Sequence, residues 1–220
     1  MDSTHPRKKR VLLLASHVML GELLAEFISR KLPDVSVSVT HQVKEARELL
    51  SEEAFNVVML EVQLPGCSGI TIAREIKQRY PATGCLLLSE DSNGMWVERA
   101  LKVNVDGFIT KFCDSANTVE ALERLLMGER YFSTDVSTSL AAYLISKHDS
   151  EPHRMLSVRE FEVFMQIGAG KSVKVISEEL QLSPRTVSVH KHNIRKKTGI
   201  DSSARIARYC LEHGLLQCAA

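Results

Sequence analysis

The C-terminal third of the chain contains the stretch LSPRTVSVHKHNIRKK (residues 182–197), which predicts a helix with two different faces. The Ser-Pro pair near its start can cap and begin a helix, because proline's missing N–H is not needed in the first turn. Val187, His190 and Ile194 then recur at intervals of three and four residues, as on the buried side of a helix. The remaining side is polar and basic and is free to face solvent or a partner.

Two shorter helices are predicted upstream of this stretch. Residues 157–160, SVRE, have the pattern of a capping box. The helix that follows has an apolar stripe comprising Phe161, Phe164 and Ile167, and the glycines at 168 and 170 end it. A second helix fits residues 172–180, and the turn at 181–183 would complete a helix-turn-helix. With a last helix over residues 203–213, this part is predicted to be an all-α, four-helix domain.

Charge is distributed unevenly along the chain. Residues 151–220 carry 11 Lys and Arg against 7 Asp and Glu, whereas the rest carries 17 against 20. Residues 185–197 hold five Lys or Arg and no acidic residue. A basic helix supported by a second helix indicates insertion into the major groove of double-stranded DNA. The alternative is a solvated basic helix, which we favour less because caps, turn and supporting helix occur together.

The N-terminal part alternates between short apolar runs and helical patterns. The apolar runs are residues 11–14, 35–39, 57–60, 85–88 and 108–109. Strands separated by helices require right-handed crossovers, which predicts a five-stranded parallel sheet, doubly wound, with helices on both faces. Only the second run alternates between valine and Ser or Thr, so we place it at the sheet edge. The first helix is expected to bury one stripe, formed by Leu20, Leu23, Leu24, Phe27 and Ile28.

The composition is that of a globular protein. Of 220 residues, 44% are hydrophobic and 25% charged, which excludes wholesale disorder. The chain has no run long enough to span a membrane, and residues 1–10 lack the hydrophobic part of a secretory signal. We therefore expect a cytoplasmic protein without a membrane partner. The five cysteines are widely spaced and include no CxxC pair, so reduced thiols are expected.

The carboxyl ends of the predicted strands indicate the position of a functional crevice, because doubly wound sheets bind ligands there. The residues at those ends are Ala15, Ser16, Glu61, Ser89 and Lys111. Four features accompany these strand ends: LEVQLPG (60–66), Gly69, VDGFITK (105–111) and GERY (128–131). Through them residues 10–130 resemble the receiver domain of two-component response regulators, which implies a flavodoxin-like fold, and GERY is typical of NarL/FixJ-type receivers.

The receiver family transfers a phosphoryl group to an aspartate that ends the third strand, with Mg²⁺ held by an acidic pair that ends the first. The acidic-pair positions are Ala15 and Ser16 in this chain, and the acceptor position is Glu61. The family positions for phosphate contact and switching are matched by Ser89, Phe108 and Lys111. Since the chemistry needs an aspartate nucleophile and carboxylate ligands, we expect a degenerate pocket without catalytic residue, metal or cofactor, and no enzymatic activity.

Two hypotheses for Glu61 follow from this resemblance. In the first, its carboxylate extends toward Lys111 and imitates the phosphorylated state, which would hold the domain in its active form. In the second, Glu61 and Lys111 are a structural ion pair. Exposed pairs contribute only about 0–1 kcal/mol, and a pair must favour one conformer before it acts as a switch. We favour the structural pair.

Residues 156–215 resemble the LuxR-type helix-turn-helix domain. The resemblance is carried by LSVRE (156–160), LSPRTV (182–187), Gly170, Ile176, Leu180, His190, Asn193, Ile194, Lys197 and Gly199. It places Ser188, Val189 and His192 at base-reading positions, where Val189 can meet a thymine methyl group. The positions implied to contact phosphates are Lys174, Arg185, Thr186, Lys191, Arg195, Lys196 and Lys197. The family's dimer contact would fall on Ile206, Tyr209 and Cys210, residues that core packing explains equally well.

The sequence is therefore identified as a NarL/FixJ-type response regulator with an atypical receiver that lacks the acidic pair and the acceptor aspartate. We expect a basic tail (1–9), a receiver-like domain (10–132), a linker with a helix (133–154) and a LuxR-type domain (155–220). The expected function is sequence-specific transcription regulation by a homodimer that does not depend on aspartyl phosphorylation. The alternative is a regulator whose receiver senses a ligand, for example a cyclic dinucleotide, or pairs with another regulator. RNA polymerase is a further candidate partner.

Overall fold

The computed structural model describes residues 8–65, 67–90, 92, 94–111, 113–145, 151–213 and 215–216. The chain divides into a sheet unit, which lies within residues 1–146, and a helical unit built mainly from residues 147–220. Residues 1–7 of the predicted tail, residues 146–150 of the predicted linker, and Cys218 lie outside the described residues. Lys9, which we assigned to the tail, opens the first strand. Among the described residues, no helix is both long and apolar enough to cross a membrane.

One parallel sheet forms the centre of the sheet unit. Its strands are β1 (Lys9–Leu14), β2 (Val35–Thr40), β3 (Val57–Glu61), β6 (Gly84–Ser89), β7 (Gly107–Thr110) and β8 (Tyr131–Phe132), and the short strands β4 (Gln63–Leu64) and β5 (Cys67–Ser68) form a separate pair. The order β2-β1-β3-β6-β7-β8 confirms the doubly wound fold and the edge position of β2. The sheet has six strands rather than five, because a two-residue strand such as β8 is too short to show a period in sequence.

The strand register brings the carboxyl ends of the central strands to one edge of the sheet. Glu61, the last residue of β3, lies opposite Leu88 of β6, and Ser89 of β6 lies opposite Thr110 of β7. Every residue of β3 is buried, as expected for a strand covered on both faces. Polar residues that end these strands are therefore held close together at the rim of an apolar core.

Five helices connect the strands of the sheet unit: α1 (Val18–Lys31), α2 (Val43–Glu52), α3 (Gly69–Arg79), α4 (Gly94–Lys102) and α5 (Ser115–Leu126). The stripe predicted for α1 is wrong in part, because Leu20 and Leu23 are 49% and 56% exposed. The buried residues of α1 are Gly21, Ala25 and Ile28. The small residues Gly21 and Ala25 let α1 approach the sheet closely, and Leu20 and Leu23 remain largely exposed.

A sixth helix, α6 (Thr134–Ile145), packs against α4 within the sheet unit. The two helices meet closely at Gly94, where an added Cβ would lie 2.5 Å from the Cβ of Tyr143 and 2.6 Å from the carbonyl oxygen of Ser139. Any larger residue at position 94 would force the helices apart. The helix predicted for the linker is thus held by tertiary contacts rather than extending into solvent.

The helical unit contains the all-α, four-helix arrangement predicted from the sequence. A 3₁₀ turn at Pro152–Met155 precedes α7 (Val158–Gly168), α8 (Val173–Glu179), α9 (Pro184–Thr198) and α10 (Ser203–Glu212). The predicted capping box is present: Ser157 N donates to Glu160 Oε2 at 2.8 Å, and Glu160 N donates to Ser157 Oγ at 3.3 Å. The aromatic residues Phe161 and Phe164 are fully buried and form the centre of the core.

Candidate functional site and nucleic-acid interface

The crevice at the carboxyl edge of the sheet brings three of the predicted residues into direct contact. The Nζ of Lys111 lies 3.2 Å from Oε2 of Glu61. The hydroxyl of Ser16 donates a hydrogen bond to the same Glu61 oxygen. The Glu61 side chain is only 3% exposed, so its charge is shielded from water and depends on these two partners. The ion pair expected from the sequence is therefore present.

Glu90, which the sequence analysis missed, is a second carboxylate beside the same lysine. Its Oε1 is 3.5 Å from Lys111 Nζ, and its side chain is 59% exposed. One ammonium group thus serves two carboxylates, and the crevice carries excess negative charge. Glu90 directly follows the strand-end residue Ser89, a position from which it could have been inferred. A phosphate group entering this crevice would meet repulsion rather than an unused cation.

The residues of the crevice do not fit a magnesium ion. Mg²⁺ requires several oxygen ligands in near-octahedral geometry. Ala15 supplies no side-chain ligand, the Ser16 hydroxyl is donated to Glu61, and the Glu61 carboxylate is paired with Lys111. Within the described residues, no group of three or more His, Cys, Asp or Glu is placed to hold a metal.

The other two predicted pocket residues lie at or near the strand ends and are buried. Ser89 is 5% exposed at the end of β6. Phe108 is fully buried in β7, with its backbone opposite Phe132 of β8. The aromatic position that the resemblance links to switching is thus part of the core in this conformation.

The helix-turn-helix of the helical unit is formed by α8, a tight turn and α9. Gln181 in the turn adopts a left-handed backbone with φ of 51°. The Oγ of Ser183 accepts a hydrogen bond from Thr186 N at 3.0 Å, with Pro184 as the first helical residue. The guanidinium of Arg159 donates to the carbonyl oxygen of Leu180 at 2.6 Å and pairs with Glu162 at 2.5 Å. These contacts anchor the turn on α7 and set the direction in which α9 leaves it.

The two faces of α9 are arranged largely as the sequence predicts. Val187 and Ile194 are fully buried, and His190 is half-buried. Burial lowers the pKa of His190, and the nearby positive charge of Arg159 lowers it further. The opposite face exposes Arg185, Ser188, Val189, Lys191, His192, Arg195, Lys196 and Lys197, with Thr186 half-buried beside them and Lys174 exposed on α8.

Val189 and the cations of α9 are the notable members of that face. Val189 is 53% exposed, an apolar side chain among polar and basic neighbours. Arg185, Lys191, Arg195 and Lys196 form no ion pair with any carboxylate in the described part of the chain. Their charge is therefore available to an anionic partner.

Lys197 differs from the other cations of α9. Its Nζ lies 2.6 Å from Oε2 of Glu160, the acidic residue of the capping box. Burial would raise the pKa of Glu160, but hydrogen bonds from Lys197 and from Ser157 outweigh it and hold the pKa below its ordinary value. Lys197 thus joins the end of α9 to the start of α7, a contact that the sequence pattern did not reveal.

Two of the three residues that were predicted to form a dimer contact on α10 are buried in the core of the helical unit. Ile206 is 2% exposed and Cys210 is fully buried, so neither can reach a partner without rearrangement of the helical unit. The Tyr209 hydroxyl lies 2.8 Å from Nδ1 of His153, and its ring stacks on His213 at a centroid distance of 3.9 Å. The core-packing alternative accounts for Ile206 and Cys210; Leu211, 50% exposed, lies on the outer side of the helix.

A doubly wound sheet with a phosphorylation-type crevice, together with a separate helix-turn-helix unit, defines the class of response regulators with an output domain. Comparison with protein families agrees: residues 11–123 match the response regulator receiver domain, and residues 154–210 match the bacterial regulatory proteins of the luxR family. The chain belongs to the response-regulator family and is a DNA-binding regulator of the luxR type.

Relatives of known role match over almost the whole chain. The transcriptional activator protein ExaE of Pseudomonas putida is 31% identical over 212 residues, which cover 96% of this chain and 99% of ExaE. The response regulator GacA of Pseudomonas viridiflava is 27% identical, again over 96% of this chain and 99% of that protein.

Solved structures with the same fold include RcsB of Salmonella enterica serovar Typhimurium bound to the promoter P1flhDC. It shares 20% identity and a TM-score of 0.67, over 92% of this chain and 98% of that chain. A two-component response regulator of the LuxR family from Aurantimonas sp. shares 28% identity and a TM-score of 0.59, over 62% of this chain and 98% of that chain.

Proposed function

We propose that the protein is a sequence-specific transcription regulator that binds double-stranded DNA as a homodimer through α9 and acts without aspartyl phosphorylation. The observation that carries the DNA-binding part is the exposed face of α9, which holds an exposed valine and four cations without an ion pair among the described residues. Cations supply salt-dependent affinity for phosphates, and Val189 can discriminate thymine by its methyl group.

The relatives support this proposal. ExaE is named a transcriptional activator, and RcsB has been solved bound to promoters and as two dimers on two parallel DNAs. A dimer also suits the size of the interface, because one small helix-turn-helix seldom buries enough DNA surface for specific affinity. We infer a receiver-like domain over residues 10–132, a linker over 133–154 and the DNA-binding domain over 155–220, working in the cytoplasm where the DNA is.

The DNA-binding part is tested by two substitutions on α9. A preferred sequence is first selected from a randomised oligonucleotide pool. Lys196→Ala should weaken binding to all sequences and reduce the slope of log affinity against log salt by about one. Val189→Ala should instead relax the preference at one base pair, with a loss of roughly 1–2 kcal/mol on the preferred site for the apolar contact removed.

The matched control is Lys44→Ala, since Lys44 is 86% exposed on α2 of the sheet unit. This variant should bind DNA like the original protein. Failure to recover any preferred sequence, or equal effects of Lys196→Ala and Val189→Ala on preferred and random DNA, would overturn the assignment.

Independence from phosphorylation is supported by the chemistry of the crevice. The acceptor position holds a glutamate that is already paired with Lys111, and Ala15 and Ser16 provide no carboxylate for a metal. Incubation with acetyl phosphate and Mg²⁺ should leave both the intact mass and the DNA affinity unchanged. A response regulator with an acceptor aspartate serves as the positive control for the phosphodonor. An added phosphoryl group on this chain would refute the proposal.

A further inference from the structure

A small cavity of about 110 Å³ lies in the sheet unit between α1 and the carboxyl edge of the sheet. It is lined by Ala15, Leu20, Gly21, Leu24, Glu61, Leu88, Thr110, Lys111 and Thr118. Six of these nine residues are buried, Leu24 and Lys111 are half-buried, and Leu20 is 49% exposed. The cavity is therefore a recess in the core that reaches the surface beside Leu20, directly next to the Glu61–Lys111 pair.

The position of α1 explains why the recess is not filled. A Cβ added at Gly21 would lie 3.1 Å from Ala15 Cβ and 3.2 Å from His41 Cε1, so only a residue without a side chain lets α1 lie this close to the sheet. Ala15, which replaces an acidic residue of the family, is too small to fill the remaining space. The cavity therefore results from the small residues at positions 15 and 21.

The walls of the cavity offer apolar contact and little unused hydrogen-bonding capacity. Leu20, Leu24 and Leu88 form its apolar surface. The Thr110 hydroxyl donates to Asp135 at 3.2 Å, and the Lys111 ammonium lies within 3.5 Å of both Glu61 and Glu90. A molecule bound in this cavity would gain most of its affinity from apolar burial.

The charge next to the cavity determines which molecules it would exclude. Glu61 and Glu90 together carry one more negative charge than Lys111 neutralises. A carboxylate or phosphate would lose its hydration and be repelled by the excess negative charge. A neutral group would be neither strongly desolvated nor repelled. The size sets a second limit: the cavity of about 110 Å³ is smaller than the engineered apolar cavity of about 150 Å³ that holds one benzene, so a single ring can enter only with part of it in the open mouth beside Leu20. Cyclic dinucleotides are excluded by both size and charge.

We propose that this cavity binds a neutral, mainly apolar small molecule, with a body of about four to six carbons packed against the leucines. A hydroxyl or similar neutral group on the molecule would lie toward Glu61 and Lys111. The site is separate from the DNA-binding face and does not rest on the function proposed above. With this site, the degenerate crevice would bind a neutral apolar ligand, whereas the receiver pocket that it resembles takes a phosphoryl group.

The probes for a test on the full-length protein are benzene, benzyl alcohol and benzoate. Binding is followed by NMR through the backbone amide shifts of Gly21, Leu24 and Thr118. Benzene and benzyl alcohol should shift these amides saturably, with dissociation constants in the millimolar range or below. Benzoate has the same ring but a negative charge, and should bind at least about tenfold more weakly.

Two tryptophan substitutions on α1 provide a matched pair. Leu20→Trp places a large side chain at the mouth of the cavity and should weaken benzyl alcohol binding by about tenfold or more. Leu23→Trp changes a residue of similar exposure, 56%, that does not line the cavity, and should leave binding within about twofold. Both positions are on the surface, so both variants should fold. Leu24→Phe, which fills the cavity from its wall, gives a second blocking variant.

The proposal is overturned by any of three results. These are no saturable shift with benzene or benzyl alcohol, benzoate binding as tightly as benzyl alcohol, or equal binding by the Leu20→Trp and Leu23→Trp proteins. DNA affinity, measured in parallel, can stay unchanged in each case, so failure here is distinct from failure of the DNA-binding proposal.

Discussion

Replacing Lys111 with methionine should destabilise the sheet unit more than replacing Glu61 with glutamine. The reason lies in the different surroundings of the two charges. Glu61 is 3% exposed and would retain only the Ser16 hydroxyl as a hydrogen-bond donor among the contacts described above. Lys111 is 17% exposed and would retain Glu90 at 3.5 Å. Loss of the Lys111 cation therefore leaves the Glu61 carboxylate, the more poorly solvated of the two charges, without an ion-pair partner.

The magnitude follows from the 3.2 Å separation of the pair. At an effective dielectric constant of about 20, the gross attraction is about 5 kcal/mol. Desolvation of several kcal/mol per ion offsets most of it, so the net contribution of the intact pair is small. Removal of one partner from a buried pair costs about 3–5 kcal/mol. We expect a cost in this range for Lys111→Met, and about 1–2 kcal/mol for Glu61→Gln, which also keeps an oxygen to accept from Ser16.

Trp96 provides a specific assay for these effects. It is the only tryptophan of the chain and lies 9% exposed in α4, so its fluorescence during urea unfolding reports on the sheet unit. The double variant Glu61→Gln/Lys111→Met has neither charge and should lose less stability than the sum of the single variants, by about 1–3 kcal/mol. DNA affinity should stay within about twofold in all three, because a structural pair switches nothing.

Two outcomes would refute this reasoning. If the single effects add to within about 0.5 kcal/mol, the two groups are not coupled and the pair is not a structural unit. If Glu61→Gln lowers DNA affinity tenfold while the sheet unit stays folded, then Glu61 imitates a phosphorylated residue, and the hypothesis that we disfavoured is correct.

Three further predictions follow from other parts of the structure. Ser183→Ala removes the hydroxyl that caps α9 and should destabilise the helical unit by about 1 kcal/mol. In unfolding followed by far-UV circular dichroism, Ser183→Asp should be as stable as the original protein, and equal losses of stability in both variants would contradict the capping role. Gly94→Ala should push α6 from α4 and speed amide exchange across residues 134–145, because the new methyl group would meet Tyr143 and a backbone carbonyl; unchanged exchange would exclude the close contact. Glu160 has a lowered pKa when folded, so its charged form stabilises the helical unit above the ordinary value of 4.5, and this contribution is lost as pH falls through the lower folded pKa. Stability measured from pH 7 to 3 should show this decline in the original protein and a smaller one in Glu160→Gln; identical profiles would contradict it.

Local sequence patterns predicted the secondary structure well where the deciding interactions are local. The capping box at Ser157 and the start of α9 at Pro184 depend on residues within one helical turn, so they are readable from spacing. The stripe on α1 was misjudged because apolar spacing does not say which side of a helix docks. That choice was decided by Gly21, whose lack of a side chain permits close contact with Ala15 and with Val39 of β2.

The sequence by itself determined the chemistry that the crevice lacks, since no folding can supply carboxylates at Ala15 and Ser16 or shorten Glu61 to aspartate. It also determined that one helix would carry a basic face. Only the tertiary structure decided that Lys111 is shared between Glu61 and Glu90, that Lys197 pairs with Glu160, and that a cavity remains beside the crevice. These features depend on distances between residues far apart in the chain, which are set by how closely each helix can pack on its neighbours.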